Sequence, residues 1–119
     1  ITICTYNRLE YLKKCLTSIL DQTQGSQIIE INIIDNNSTD NTKNYISERQ
    51  KKFPEINYYL EKKQGISHAR NLSFKVCKGD FLAFVDDDAV INKNWLESLL
   101  NELKTASRTR SLVGRTSSI

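Results

Sequence analysis

Three consecutive carboxylates, Asp86-Asp87-Asp88, close a short apolar run, Phe81-Leu82-Ala83-Phe84-Val85. Unit charges about 4 Å apart repel by roughly 4 kcal/mol at an effective dielectric of about 20. A divalent cation removes that penalty, and an all-oxygen donor set suits Mg²⁺ or Mn²⁺. The competing reading is a solvated acidic turn that caps the following helix. The apolar run is rich in aromatic and β-branched residues and follows a turn signal, Lys78-Gly79-Asp80. It reads as a buried strand of an α/β sheet, and such sheets bind ligands off the carboxyl ends of their strands.

The remaining sequence supplies the elements that would position these residues. Ile1-Thr2-Ile3-Cys4-Thr5 is a short β-branched run, and Leu9, Leu12, Leu16, Ile19 and Leu20 then recur at helical spacing up to Gly25. Ile28 to Ile34 reads as a second strand, and the turn-rich stretch Asp35 to Asp40 opens a helix reaching about Gln50. Ile56 to Leu60 is a third strand, and a helix starting at Gly65 carries the stripe Ile66, Ala69, Leu72, Val76 and Cys77. After the aspartates, Asn92 or Asn94 caps a helix bearing Trp95, Leu96, Leu99, Leu100 and Leu103, and Leu112-Val113-Gly114 begins a further strand. Strands alternating with helices predict a Rossmann-like α/β fold, with a mainly parallel sheet and helices on both faces.

Composition narrows the function. The 119 residues amount to one domain at most, with an ordinary apolar content. A net charge of +3, with scattered basic residues, does not point to nucleic acid. Cys4, Cys15 and Cys77 lack metal-type spacing and read as reduced cysteines of an intracellular protein. No apolar run reaches membrane-spanning length. The chain opens in a strand pattern without an initiating Met and so reads as a segment of a longer protein.

All four predicted strand ends are polar: Thr5-Tyr6-Asn7-Arg8, Asp35 to Asp40, Glu61 to Arg70, and Asp86 to Asp88. An acid at the end of the second strand is where mononucleotide-binding halves often hold a ribose or base. The first turn has no glycine, and both G-x-G-x-x-G and G-x-x-x-x-G-K-[ST] are absent. A diphosphate is therefore not cradled by a glycine-rich loop at the first helix, and a metal on the aspartate run is the available counter-charge.

The order of these motifs resembles the N-terminal half of family 2 glycosyltransferases, which have the GT-A nucleotide-diphospho-sugar transferase fold. The resemblance spans essentially the whole chain. It rests on the opening strand and Thr5-Tyr6-Asn7-Arg8, on Leu12 to Leu20 with Gln22, and on Asp35-Asn36-Asn37-Ser38-Thr39-Asp40. It rests equally on Gly65-Ile66-Ser67-His68-Ala69-Arg70-Asn71 and on Gly79 to Asp88, which ends in the family's DxD signature. The resemblance implies a single N-terminal donor-binding portion, 1–119, of a catalytic domain. Thr5 and Tyr6, with Asn7 and Arg8, are expected at the nucleotide, Asp35 at the base, and Arg70 over the base or near the diphosphate. Asp86 is expected at the ribose with a share in the metal, Asp88 on the Mn²⁺ or Mg²⁺, and Asp87 in the nucleotide site without a defined duty.

The implied reaction is inverting transfer of a sugar from a nucleotide diphosphate, UDP being the family's commonest, to a hydroxyl of a saccharide, lipid-linked or other acceptor. Polysaccharide biosynthesis in the cytoplasm, peripheral at the inner membrane face, is the matching setting. The general base is expected beyond Ile119, because Glu97 and Glu102 fall within an amphipathic helix pattern. Ser38 and Asp40 read as turn and cap residues, His68 as a surface or packing histidine, and Trp95 as core. The alternative is a nucleotide-sugar-binding domain of the same fold without transfer activity. A nucleotidyltransferase would need a glycine-rich basic first loop, and a phosphoacceptor receiver domain would need acids where Thr5 and Tyr6 stand.

Overall fold

A computed structural model describes residues 1–23, 30–79, 81–105 and 113–116. Its elements run β1 (Thr2–Thr5), α1 (Leu9–Thr23), β2 (Ile31–Asp35), α2 (Thr42–Lys52), β3 (Ile56–Leu60), α3 (Ile66–Val76), β4 (Leu82–Val85), α4 (Trp95–Thr105) and β5 (Val113–Thr116). The strands form one sheet in the order β3-β2-β1-β4-β5, and every pairing is parallel. The expected α/β architecture is present. β2 starts at Ile31; positions 28 and 29, together with Gly25, Asp80 and Leu112, lie outside the described residues.

Parallel strands are covered on both faces, so their sequences are nearly continuous in apolar residues rather than alternating. All of β2 is buried. Alternation sorts the side chains between two layers. Ile3, Ile31, Ile33, Ile56 and Val85 pack with Leu12, Cys15, Leu16, Ile19 and Leu20 of α1, Ile46 of α2, and Trp95 and Leu96 of α4. Each fully buried Leu or Ile in that layer contributes about 1.5–3 kcal/mol. Helix α1 supplies the larger share because its buried stripe recurs every three to four residues, leaving Lys14 on the exposed face.

The opposite face carries α3. Ala69 and Ser73 are its buried residues, and Ser73 Oγ lies 3.7 Å from Cys4 Sγ of β1. Phe74 meets Phe84 of β4 edge to face at 5.8 Å. Gly65 precedes α3 with φ +131°, a conformation that L side chains rarely adopt, which is why glycine marks the start of that helix. Near the amino ends of the strands, the register aligns Thr2, Asn32 and Asn57 in one row. Asn57 donates to Asn32, and Asn32 donates to the buried Glu30 carboxylate, which also accepts the Lys78 N–H.

Candidate functional site

The strand order reverses at β1, which has β2 on one side and β4 on the other. That switch point opens a crevice at the carboxyl edge of a parallel sheet. A cavity of about 250 Å³ lies there, lined among others by Arg8, Ile66, Arg70, Asp86, Asp87 and Asp88. Residues 8, 70 and 86–88 thus converge from three separate stretches of sequence.

The three aspartates differ in their surroundings. Asp87 is buried, accepts the Thr5 hydroxyl at 3.0 Å and faces Arg8 Nε at 3.5 Å. Burial raises its pKa; Thr5 and Arg8 oppose that rise, while Asp88 and Asp86 add to it. Asp88 is exposed, and its Oδ2 lies 3.3 Å from Arg8 Nη2. Asp86 is half-buried and its carbonyl accepts the Cys15 thiol at 3.4 Å and the Ala89 N–H at 3.0 Å. Burial, and then the three aspartates, push the Cys15 thiol up to about 12, so it stays a neutral prop beneath the run. The Arg8 guanidinium also lies 4.8 Å from the Tyr11 ring centroid, and that of Arg70 lies 5.6 Å from the Phe84 ring centroid.

Helix α1 holds the stretch that follows the aspartates. Cys15, Ser18 and Gln22 project at helical spacing. Ser18 Oγ accepts the Ile91 N–H at 3.2 Å, while Gln22 donates to the Asn92 carbonyl and accepts the Leu96 N–H at 3.0 Å. The aspartate run is thus fixed from Asp86 through to the first turn of α4.

The loop after β2 is fixed in a different way. Asp35 is 1% exposed, and both its oxygens are engaged: Oδ1 accepts the Ser38 N–H at 2.9 Å and Oδ2 accepts the Tyr58 hydroxyl at 2.6 Å. The Asn36 side chain donates to the carbonyls of Glu61 and Lys63 and accepts the Gly65 N–H. Asn7, at φ +50°, accepts the N–H groups of Thr39 and Asp40 and donates its own N–H to Ser38 Oγ. Asp40 accepts the Leu9 N–H at 3.3 Å. The expectation that Ser38 and Asp40 act as turn and cap residues matches these contacts.

Of the residues expected to hold the nucleotide, Arg8, Arg70, Asp86, Asp87 and Asp88 surround the cavity. Thr5 lies buried beneath Asp87 and does not line it. Tyr6 is exposed, and neither it nor Asn7 nor Asp35 lines the cavity. The sequence assigned no site role to Cys15, Asn36, Tyr58 or the two polar α1 residues Ser18 and Gln22.

Among the described residues, no group of three or more His, Cys, Asp or Glu side chains is placed to hold an ion. Mg²⁺ and similar hard ions usually take one or two carboxylates plus substrate phosphates rather than an all-protein cage. Asp87 and Asp88 already share one cation, the Arg8 guanidinium. The donor set therefore fits such an ion in company with a diphosphate.

The profile of glycosyl transferase family 2 matches residues 1–117. Chondroitin synthase of Escherichia coli is 30% identical over 104 residues, which cover 87% of this chain and 15% of that one. A GalNAc(5)-diNAcBac-PP-undecaprenol beta-1,3-glucosyltransferase of Campylobacter jejuni is 33% identical over 104 residues, covering 86% of this chain and 33% of that one. TarS 1-349 of S. aureus, solved in complex with UDP-GlcNAc, superposes with a TM-score of 0.72 at 26% identity, over 89% of this chain and 31% of that one. The chain thus spans a third or less of the length of these three proteins. The GT-A architecture, the crevice at the switch point and the near-complete family match agree, and the chain belongs to glycosyl transferase family 2.

Proposed function

We propose that residues 1–119 form the donor-binding portion of a glycosyltransferase that moves a sugar from a nucleotide diphosphate, UDP foremost, to an acceptor hydroxyl with inversion. The observation that carries this reading is the convergence of Arg8, Arg70 and Asp86 to Asp88 on one cavity at the switch point. The UDP-GlcNAc complex of TarS supports the donor class. The undecaprenyl-diphosphate acceptor in the name of the Campylobacter jejuni relative supports a lipid-linked saccharide acceptor. No helix among the described residues is long and apolar enough to cross a membrane. A lipid-linked acceptor would place the reaction at the cytoplasmic membrane face.

In this reading Arg70 and Arg8 meet the diphosphate, whose oxygens match the planar fork of a guanidinium. Asp86 meets the ribose hydroxyls. Asp88, assisted by Asp86, holds a Mn²⁺ or Mg²⁺ ion, which when bound supplies Lewis-acid stabilisation of the departing nucleoside diphosphate. Thr5 fixes Asp87 and so holds the run at the end of β4. Asp35 and Asn7 shape the pocket by ordering the loop after β2, rather than by touching the base. Transfer breaks the bond from the anomeric carbon to the diphosphate and forms one to the acceptor oxygen, whose proton passes to a base. We assign that base to none of the cavity-lining carboxylates, because all three belong to the donor side.

Calorimetric titration of the full-length protein with UDP, GDP and dTDP, with and without Mn²⁺, tests the reading. UDP should bind tightest and in a Mn²⁺-dependent manner, and Asp88→Ala should weaken that binding about tenfold or more, equivalent to about 1.4 kcal/mol. Tight binding indifferent to both Mn²⁺ and Asp88→Ala overturns the metal assignment. No binding of any of the three nucleotides overturns the donor site.

A further inference from the structure

We propose that Arg8 is a built-in counter-ion of the aspartate run, and that the donor's diphosphate draws it away from Asp88 so that a divalent ion can bind there tightly. The inference rests on the donor-site reading above and adds to it an order of events. Arg8 engages one of the two carboxylates assigned to the metal, Asp88. One guanidinium faces Asp87 Oδ1 at 3.5 Å through Nε and Asp88 Oδ2 at 3.3 Å through Nη2. An ion placed on Asp88 would meet a positive charge already there.

The geometry is that of a parked side chain. Charge-assisted N–H to carboxylate bonds run about 2.7–2.9 Å when tight, and both contacts of Arg8 are longer. The side chain is 45% exposed and rests against the Tyr11 ring, itself an exposed residue. The backbone beside Arg8 is held on either side: the Asn7 N–H donates to Ser38 Oγ at 2.9 Å and the Leu9 N–H donates to Asp40 Oδ2 at 3.3 Å. Arg8 can therefore turn about its own side-chain bonds while the loop stays in place. It lines the same cavity as Arg70, so a diphosphate seated there lies within reach of both guanidinium groups.

Exchange follows from charge. Without nucleotide, the Arg8 guanidinium offsets part of the charge of Asp87 and Asp88. A bound diphosphate offers Arg8 a better partner, because its oxygens accept the guanidinium fork in a bidentate manner. The vacated Asp88, with Asp86 and the phosphate oxygens, would then hold the divalent ion. Metal and nucleotide binding are therefore coupled through Arg8, and by linkage each tightens the other by the same factor.

The test is Mn²⁺ binding to the full-length protein, followed by calorimetry and by the electron paramagnetic resonance of free Mn²⁺, with and without UDP. In nucleotide-free protein, Arg8→Gln should bind Mn²⁺ about three- to tenfold tighter than wild type. The factor by which UDP tightens Mn²⁺ should shrink in the same variant by a similar amount. Tyr11→Leu removes the ring that supports the guanidinium without altering any charge, and should shift Mn²⁺ affinity in the same direction by a smaller factor. Its position on the exposed face of α1 leaves the core intact. Unchanged or weaker Mn²⁺ binding in nucleotide-free Arg8→Gln, with UDP still bound by wild type, overturns the counter-ion role and leaves the donor site standing. Failure of wild type to bind UDP under any metal condition overturns both.

Discussion

The hydroxyl of Thr5 donates to Asp87 Oδ2 at 3.0 Å, joining the ends of two strands across 82 residues of sequence. Both groups are buried, so neither can turn to water when the other is lost. Thr5→Val keeps the shape of the side chain and removes the donor. It should lower stability by about 1–3 kcal/mol, the cost of a buried acceptor left without its partner, and Thr5→Ser should recover most of the loss. Urea unfolding of the two variants checks this, and equal midpoints for Thr5→Val and wild type would remove the tie from the account of the site.

Asp87 also sets a pH dependence. Its carboxyl lies above the ordinary 3.8, chiefly through burial, so the folded protein keeps that proton to a higher pH than the unfolded chain does. Below the unfolded value both states are protonated and no penalty exists. As pH rises through the folded value, a buried carboxyl must ionise, and the stability it costs remains lost at neutral pH. Asp87→Asn has no such proton to lose. The difference in stability between wild type and Asp87→Asn should move in favour of the variant as pH climbs from roughly 4 to 7. A difference that stays constant, or moves the other way, contradicts the raised carboxyl.

Fold and crevice were legible because they rest on local signals. β-branched runs ending in polar clusters predict parallel strands with a carboxyl edge, and Arg8, Arg70 and Asp86 to Asp88 do gather at that edge. What escaped the sequence depends on tertiary register. Asp35 reads as a nucleotide acid, and its further partner Tyr58 comes into view only when β3 is paired beside β2. Asn7 reads as a ligand contact, and the sequence does not show that its side-chain oxygen accepts two N–H groups more than thirty residues away. Asp87 had no expected duty; its burial against the Thr5 hydroxyl becomes visible only when β1 and β4 lie side by side.

The Asp35–Tyr58 pair separates a structural role from a binding one. Burial and the hydrogen bond to Asp35 raise the Tyr58 hydroxyl well above its ordinary 10.0, so it remains a donor at every physiological pH. Asp35→Ala would leave both the hydroxyl and the Ser38 N–H without an acceptor, at a cost of about 2–4 kcal/mol. Asp35→Asn keeps one acceptor oxygen and should lose about half as much. Both should weaken UDP binding in proportion to the disorder they bring to residues 36–40, with the order of preference among UDP, GDP and dTDP unchanged. A changed order of nucleotide preference in stably folded Asp35→Asn would return Asp35 to direct contact with the base.

Gln22 offers a test of how the aspartates are held from a distance. Its amide is the last of the polar groups on α1 that grip the stretch after Asp88, and it closes both the Asn92 carbonyl and the Leu96 N–H. The Leu96 N–H lies in the first turn of α4, where backbone donors have no partner within the helix. Gln22→Ala leaves that donor and the Asn92 carbonyl without their side-chain partner, at a cost of about 1–3 kcal/mol. Because the Cys15 and Ser18 contacts remain, loosening should be confined to the far end of the grip. Hydrogen exchange should therefore speed up at the amides of Leu96 and its neighbours by about tenfold or more, while the amides of β1 and β2 stay protected. Mn²⁺-dependent UDP binding should weaken less than in Asp88→Ala, since Gln22 acts only on the position of the run. Faster exchange spread evenly over the sheet would instead assign Gln22 to global stability and take it out of the grip on the aspartates.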